Sequence, residues 1–155
     1  MKKQTRMTLI IVFMLALIAL AGHAETTGMN LTQVLESFKL GDDMMPLIEE
    51  DLTDIYGIDV EDVVQFAAAI HDSGIKADEI VLVEAVDGDA AGRIEAALAQ
   101  RLEDKLNELE NYLPEEYAVA KACRVETEGN FVSMIVAPNA AELAELYRAG
   151  LNRLS

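Results

Sequence analysis

Hydrophobic positions divide the chain into one continuous apolar stretch, Met7 to Ala21, and a series of periodic segments that begins near Asn30 and runs to the C-terminus. Asn30 to Lys39 places Leu31, Val34, Leu35 and Phe38 three and four residues apart behind an Asn suited to an N-cap, which predicts a short helix ended by Gly41. Asp42 to Asp59, with Pro46, several acids and Tyr56-Gly57, reads as a loop followed by a turn or two of helix around Leu47 to Ile55. Val63 to Ile70 alternates at Val64, Phe66, Ala68 and Ile70 as a strand does, although its alanines would also suit a helix. The β-branched run Ile80 to Val86, reached through His71, Asp72, Ser73 and Gly74, decides for a strand, because two such runs pair naturally as a hairpin.

Asp87-Gly88-Asp89 then opens the longest helix, with Ile94, Leu98, Leu102, Leu106, Leu109 and Leu113 on one face, and Pro114 stops it. Pro114 also suits the first position of a following short helix, where Glu115 and Glu116 complement the helix dipole. Cys123 to Thr127 and Phe131 to Ala137 flank Glu128-Gly129-Asn130 as a second hairpin, closed by Pro138. Asn139 and Glu142 have capping-box spacing ahead of a terminal helix that carries Leu143, Leu146, Tyr147, Leu151 and Leu154. The expected fold class is α+β: a small antiparallel sheet of two β-hairpins in the order ββαββα, covered by helices on one face and preceded by an N-terminal signal helix.

The apolar stretch changes the picture of where this domain works. Lys2, Lys3 and Arg6 precede its 15 residues, and Gly22 and Ala24 supply the small side chains that a signal peptidase reads before Glu25. A helix needs roughly 20 residues to cross a bilayer core, so the stretch is short for a permanent anchor. Residues 1–24 are therefore expected to be a signal peptide cleaved after Ala24, with retention as an uncleaved anchor the alternative. Residues 25–155 form the single expected domain.

Charge narrows its partners. The first 24 residues carry three of the 12 basic side chains and none of the 28 acidic ones, leaving a formal −19 on the remainder. Such a surface repels nucleic acid and anionic lipid, and the chain has no basic stripe to displace phosphate counterions. Cys123 is the only cysteine, which excludes an internal disulfide and a four-thiolate metal site. The exported domain must then stand on its hydrophobic core.

Ala77-Asp78-Glu79-Ile80 at a strand start, Arg101 within a long helix, Tyr112-Leu113-Pro114 at its end and Gly129-Asn130-Phe131-Val132 in a hairpin follow one another in an order and spacing that resembles domain-of-unknown-function family 4358 (DUF4358). The resemblance runs from about Tyr56 to the C-terminus. It implies the same order of elements and an exported, often lipid-anchored protein of Gram-positive bacteria, and it brings no activity to any residue. Members of the family commonly carry a lipobox cysteine after Leu-Ala-Gly. Here Leu20-Ala21-Gly22 is followed by His23, whose imidazole cannot take a thioether-linked diacylglycerol, so lipid anchoring is not expected.

Candidate chemistry is sparse. His71, the one histidine beyond the signal, would need a partner carboxylate or nucleophile; alternation turns Asp72 to the opposite strand face, so His71 is expected to be an exposed strand-end residue. Cys123 could act as a nucleophile with His71 as base, but without a basic neighbourhood it reads as a small buried strand residue. Asp87, Asp89 and Gly92 fit three positions of a calcium loop, while Ala91 and Leu98 fall where oxygen ligands are required, so the two acids are expected to cap the helix instead. Asn30-Leu31-Thr32 matches a glycosylation sequon at a position better read as a helix cap. Tyr112, Tyr117 and Phe131 could build an aromatic ledge or belong to the core. No catalytic, cofactor or metal residue is assigned. The acidic run Glu49, Glu50, Asp51 and Asp54 is the one candidate surface contact, for a cationic partner or a loosely held divalent ion. The sequence thus points to a non-enzymatic extracytoplasmic binding domain of the cell envelope, its partner an unidentified protein or ligand. A hydrolase with scattered carboxylates and a structural spacer are the competing readings.

Overall fold

The computed structural model describes residues 28–152. The signal segment 1–24, the Ala24–Glu25 junction, His23 and Leu154 lie outside the described residues. The first helix, α1 (Leu31–Ser37), starts where Asn30 Oδ1 accepts the Gln33 N–H at 3.0 Å, a cap that satisfies an amide with no partner inside the helix. It is followed by β1 (Met44–Pro46), α2 (Glu49–Tyr56), a 3₁₀ turn at Val60–Asp62, β2 (Val63–His71) and β3 (Glu79–Ala85). The second half holds α3 (Gly88–Leu109), α4 (Pro114–Lys121), β4 (Val125–Glu128), β5 (Phe131–Val136) and α5 (Ala140–Leu151).

All five strands join one antiparallel sheet in the order β1-β2-β3-β5-β4. The mixed α and β character and the antiparallel sheet agree with the sequence reading, and two features correct it. Met44–Pro46, expected in a loop, is a fifth strand on the sheet edge, pairing Met44 with His71 and Pro46 with Ala69; an edge is where a proline is tolerated, because its missing N–H costs no ladder bond. The helices also cover both faces rather than one. Val81, Val83, Val132 and Met134 face a core shared with Leu52, Ile94 and Leu98, while Ile80, Leu82 and Ile135 face a second core with Leu31, Phe38, Leu143 and Tyr147. The cause lies in β3, whose Ile80 to Val83 are all fully buried. A central strand apolar on both sides must be covered on both sides.

Smaller corrections have local causes. Asn139 makes no side-chain cap; α5 begins instead with tight-turn bonds, Ala140 N–H to Ala137 O and Glu142 N–H to Asn139 O. Leu146, expected on the inner face, is exposed, and so is Val86, which lies just past the end of β3. Leu113 is not the last residue of α3 but the N-cap of α4. After α1 the left-handed position is Lys39 at φ 51°, not Gly41.

Candidate functional site

The acidic run of α2 separates into two roles. Asp51 Oδ2 accepts the Ile48 N–H at 2.7 Å and so caps the helix, a carboxylate placed where the helix dipole is positive. Leu52 and Tyr56 turn into the core, which leaves Glu49, Glu50 and Asp54 exposed on the outer side. Between α2 and β2 lies an open groove of about 280 Å³ lined by Glu49, Leu52, Val60, Val63, Val64 and Phe66 together with Gln65. From Leu40 through Ile75 the chain contains ten Asp and Glu and no Lys or Arg. The whole unit β1–α2–β2 is therefore anionic without internal neutralisation.

His71 occupies a second cleft, of about 380 Å³, with Phe38, Asp43, Lys76, Asp78 and Asn139 among its walls. It is half-buried rather than exposed, and Asp72 is not turned away from it. Nε2 lies 3.1 Å from Asp43 Oδ2, and Nδ1 lies 3.4 Å from Asp72 Oδ1. The Ser73 N–H donates to Nδ1 at 3.1 Å, which assigns the ring hydrogen to Nε2 and directs it at Asp43. The two carboxylates thus flank opposite ring nitrogens and cannot converge on one cation. Their effect is to tie the approach to β1 to the β2–β3 turn.

Cys123 sits on the connection before β4, not on a strand. It lines a third cleft, of about 390 Å³, with Arg124, Glu126, Ile135, Ala144 and Arg148. The walls of this cleft do not include His71, so the Cys–His pairing considered from sequence is not assembled. Burial pushes the thiol up to about 11, the opposite of what a nucleophile needs. Of the two acids expected to cap α3, Asp87 does so, its Oδ1 accepting the Ala90 N–H at 2.8 Å, whereas Asp89 lies within the first turn; among the described residues no His, Cys, Asp or Glu cluster has metal-binding geometry. The aromatic ledge is not formed: Tyr112 is exposed, Tyr117 packs toward one core and Phe131 toward the other.

A buried charge cluster escaped the sequence reading. Glu79, with none of its surface exposed, receives Arg101 Nε at 3.0 Å and Nη2 at 2.9 Å, and Lys105 Nζ at 2.9 Å. Burial is the largest single influence on this carboxyl and opposes its ionisation, but the Arg101 hydrogen bonds and the Lys105 and Arg101 charges together outweigh it and hold the group below the usual carboxylate range. Arg101 lies 5.9 Å from the Tyr56 ring centroid, and burial followed by the Glu79 charge pushes the Tyr56 phenol up. A second clasp joins Glu116 of α4 to the Ala77 N–H at 2.8 Å and to Lys76 at 2.6 Å, and the Lys76 bond keeps the Glu116 carboxyl low. The signal was present in the pattern. Glu79 has the parity of Val81 and Val83 on one strand face, and Arg101 and Lys105 follow Leu98 at helical spacing, so polar residues stood at core positions and had to satisfy one another.

Glu79 and Arg101 are also two of the residues through which the chain resembles a known family, and the structure joins them directly. Part of the resemblance is therefore a pair of residues joined in the core. No curated protein and no solved structure matches the chain. Residues 36–137 do match a family, described as a domain of unknown function, and the chain belongs to that family, DUF4358.

Proposed function

We propose that this chain works outside the cytoplasm as a non-enzymatic domain that binds a partner at the cell envelope, exported by residues 1–24 and touching the membrane only through them if they are retained. The observation that carries the reading is the β1–α2–β2 side of the molecule, where Met45, Ile48, Val60 and Val64 are exposed within a stretch, Leu40 to Ile75, that holds ten acids and no Lys or Arg. Large apolar side chains gathered on one side of a highly charged domain favour a contact surface. The hydrolase reading needs an acid held protonated near neutral pH. Among the described residues, the carboxylates displaced from their ordinary range, Asp62, Glu79 and Glu116, all move down.

The test is site-specific photo-crosslinking in the host's own envelope, with the crosslinker placed in turn at Val64, Ala144 and Glu110. A discrete adduct from one position and not the others supports a binding domain. The absence of adducts from all three, with the protein present in the envelope, would return the choice to a spacer.

A further inference from the structure

β1 covers β2 only from Ala69 to His71, and the Leu47 N–H extends the contact to Ala68 O at 2.9 Å. Beyond that point Val63, Gln65, Phe66 and Ala67 pair with β3 on one side, and the stretch has no strand on the other. A sheet edge of this kind offers a row of backbone donors and acceptors to an added strand. The register shift between Val63 and Gln65 leaves Val64 as a bulge residue, and its side chain, 60% exposed, joins Val60 at 37% in the groove lining. Bulges re-aim side chains and shorten the stretch open to pairing, so recognition here must draw on side chains as well as backbone.

Resting on the binding reading above, we propose that the groove between α2 and the free edge of β2 takes an extended segment of another protein whose basic side chains alternate with apolar ones. Charge complementarity selects this occupant. Glu49 lines the groove, and Glu50 and Asp54 are exposed on the same helix. No Lys or Arg between Leu40 and Ile75 competes for them. Strand geometry sends successive side chains to opposite faces: those on the α2 side meet Glu49 and Val64, which line the groove together, and those between them turn to the other face of the sheet. A second copy of the chain is a poor occupant, because the acids of α2 flank the groove and the other sheet edge, β4, reads Val125-Glu126-Thr127-Glu128 with Glu126 already paired to Arg148, so it brings negative charge toward negative charge.

The experiment uses protein recovered from its own host in the form that host produces. It is titrated with a fluorescein-labelled peptide of five Lys-Val repeats, with the same peptide N-methylated along one backbone edge, and with a Glu-Val counterpart. Anisotropy reports affinity, and hydrogen exchange read by mass spectrometry reports the site. The Lys-Val peptide is expected to bind, to protect residues 63–68, and to lose about tenfold in affinity at low salt when Glu49→Gln, Glu50→Gln and Asp54→Asn are combined. Val64→Lys, a change at an exposed position, is expected to abolish binding while exchange elsewhere is unaltered. Equal binding of the N-methylated or the Glu-Val peptide overturns the proposal. So does protection at residues 125–128 instead, or a dimer that Val64→Lys dissociates. Envelope adducts from Ala144 but not from Val64 would sink this edge and leave the binding reading intact; adducts from neither, nor from Glu110, would remove both.

Discussion

Replacing Glu79 by Gln keeps the side-chain shape and removes one charge, and the structure sets what that costs. Arg101 and Lys105, with side chains 22% and 9% exposed, would be left facing each other without their counter-ion. Breaking a buried ion pair by neutralising one partner costs about 3–5 kcal/mol. A domain of this size is expected to hold only about 6–18 kcal/mol in total, so the change consumes a large part of its stability. With an m-value near 2 kcal/mol/M, the urea midpoint followed by far-UV circular dichroism should fall by about 2 M. The pH dependence has a definite sign. Glu79 is held below the carboxylate range in the folded state, so its contribution is fully present above the unfolded pKa of about 4.3 and is lost as pH falls through the lower folded value. The gap between wild type and Glu79→Gln should therefore narrow on acidification. Exchanging Glu79, Arg101 and Lys105 together for Leu should recover much of the loss, because a buried ionic group replaced by apolar residues of similar volume is often neutral. A Glu79→Gln protein within about 1 kcal/mol of wild type at pH 7, or a gap that widens in acid, would refute the reasoning.

Two caps that look alike in sequence should behave differently. Asp87→Ala removes an observed bond to the Ala90 N–H and should cost about 1 kcal/mol, whereas Asn139→Ala removes none and should stay within about 0.5 kcal/mol, both read from urea midpoints. Gly92→Ala lies in mid-helix with nothing within 4 Å of the added Cβ and should raise stability by about 0.5–1 kcal/mol in the same assay. Cys123, with its thiol pushed up to about 11, should react with a disulfide reagent at pH 7.5 at least about tenfold more slowly in the folded protein than in urea; equal rates would contradict its burial.

Elements whose cause is local were legible in the sequence. The Asn30 and Asp87 caps, the proline start of α4 and the apolar face of α3 each depend on residues within a turn or two of one another. Features that depend on what arrives from elsewhere were not. The spacing of Asn139 and Glu142 suits a capping box, but the chain leaving β5 enters α5 through a tight turn and gives Asn139 φ −106° and ψ 29°, not the extended geometry a cap requires. One-sided coverage of the sheet failed for a related reason. Alternation in β2 and β5 says which residues are buried, yet only the placement of β3 between them makes both faces interior. Glu79 shows the same limit, since its parity marks a buried position but its partners come from α3, 22 residues away in the case of Arg101.

The candidate surface combines both kinds of information. That the chain from Leu40 to Ile75 holds acids and no Lys or Arg is plain from the sequence, but the exposure of Val64 depends on where β1 stops. Had the chain stayed extended past Leu47, its next amides would have paired with Ala67 and the residues before it, closing the edge. It does not, because the Ile48 N–H is already taken by Asp51 Oδ2 at 2.7 Å and the Ile48 carbonyl by the Asp51 N–H at 3.1 Å. Helix α2 therefore starts two residues after Leu47, the last contact with β2, and the strand continues alone toward Val63. One member of the acidic run thus acts on the backbone to hold the groove open, while Glu49 lines the groove and Glu50 and Asp54 are exposed on the same helix. The two roles are separable by mutation: neutralising Glu49, Glu50 and Asp54 should change which peptides bind, whereas Asp51→Ala should loosen the start of α2 by about 1 kcal/mol and change whether the edge is available at all.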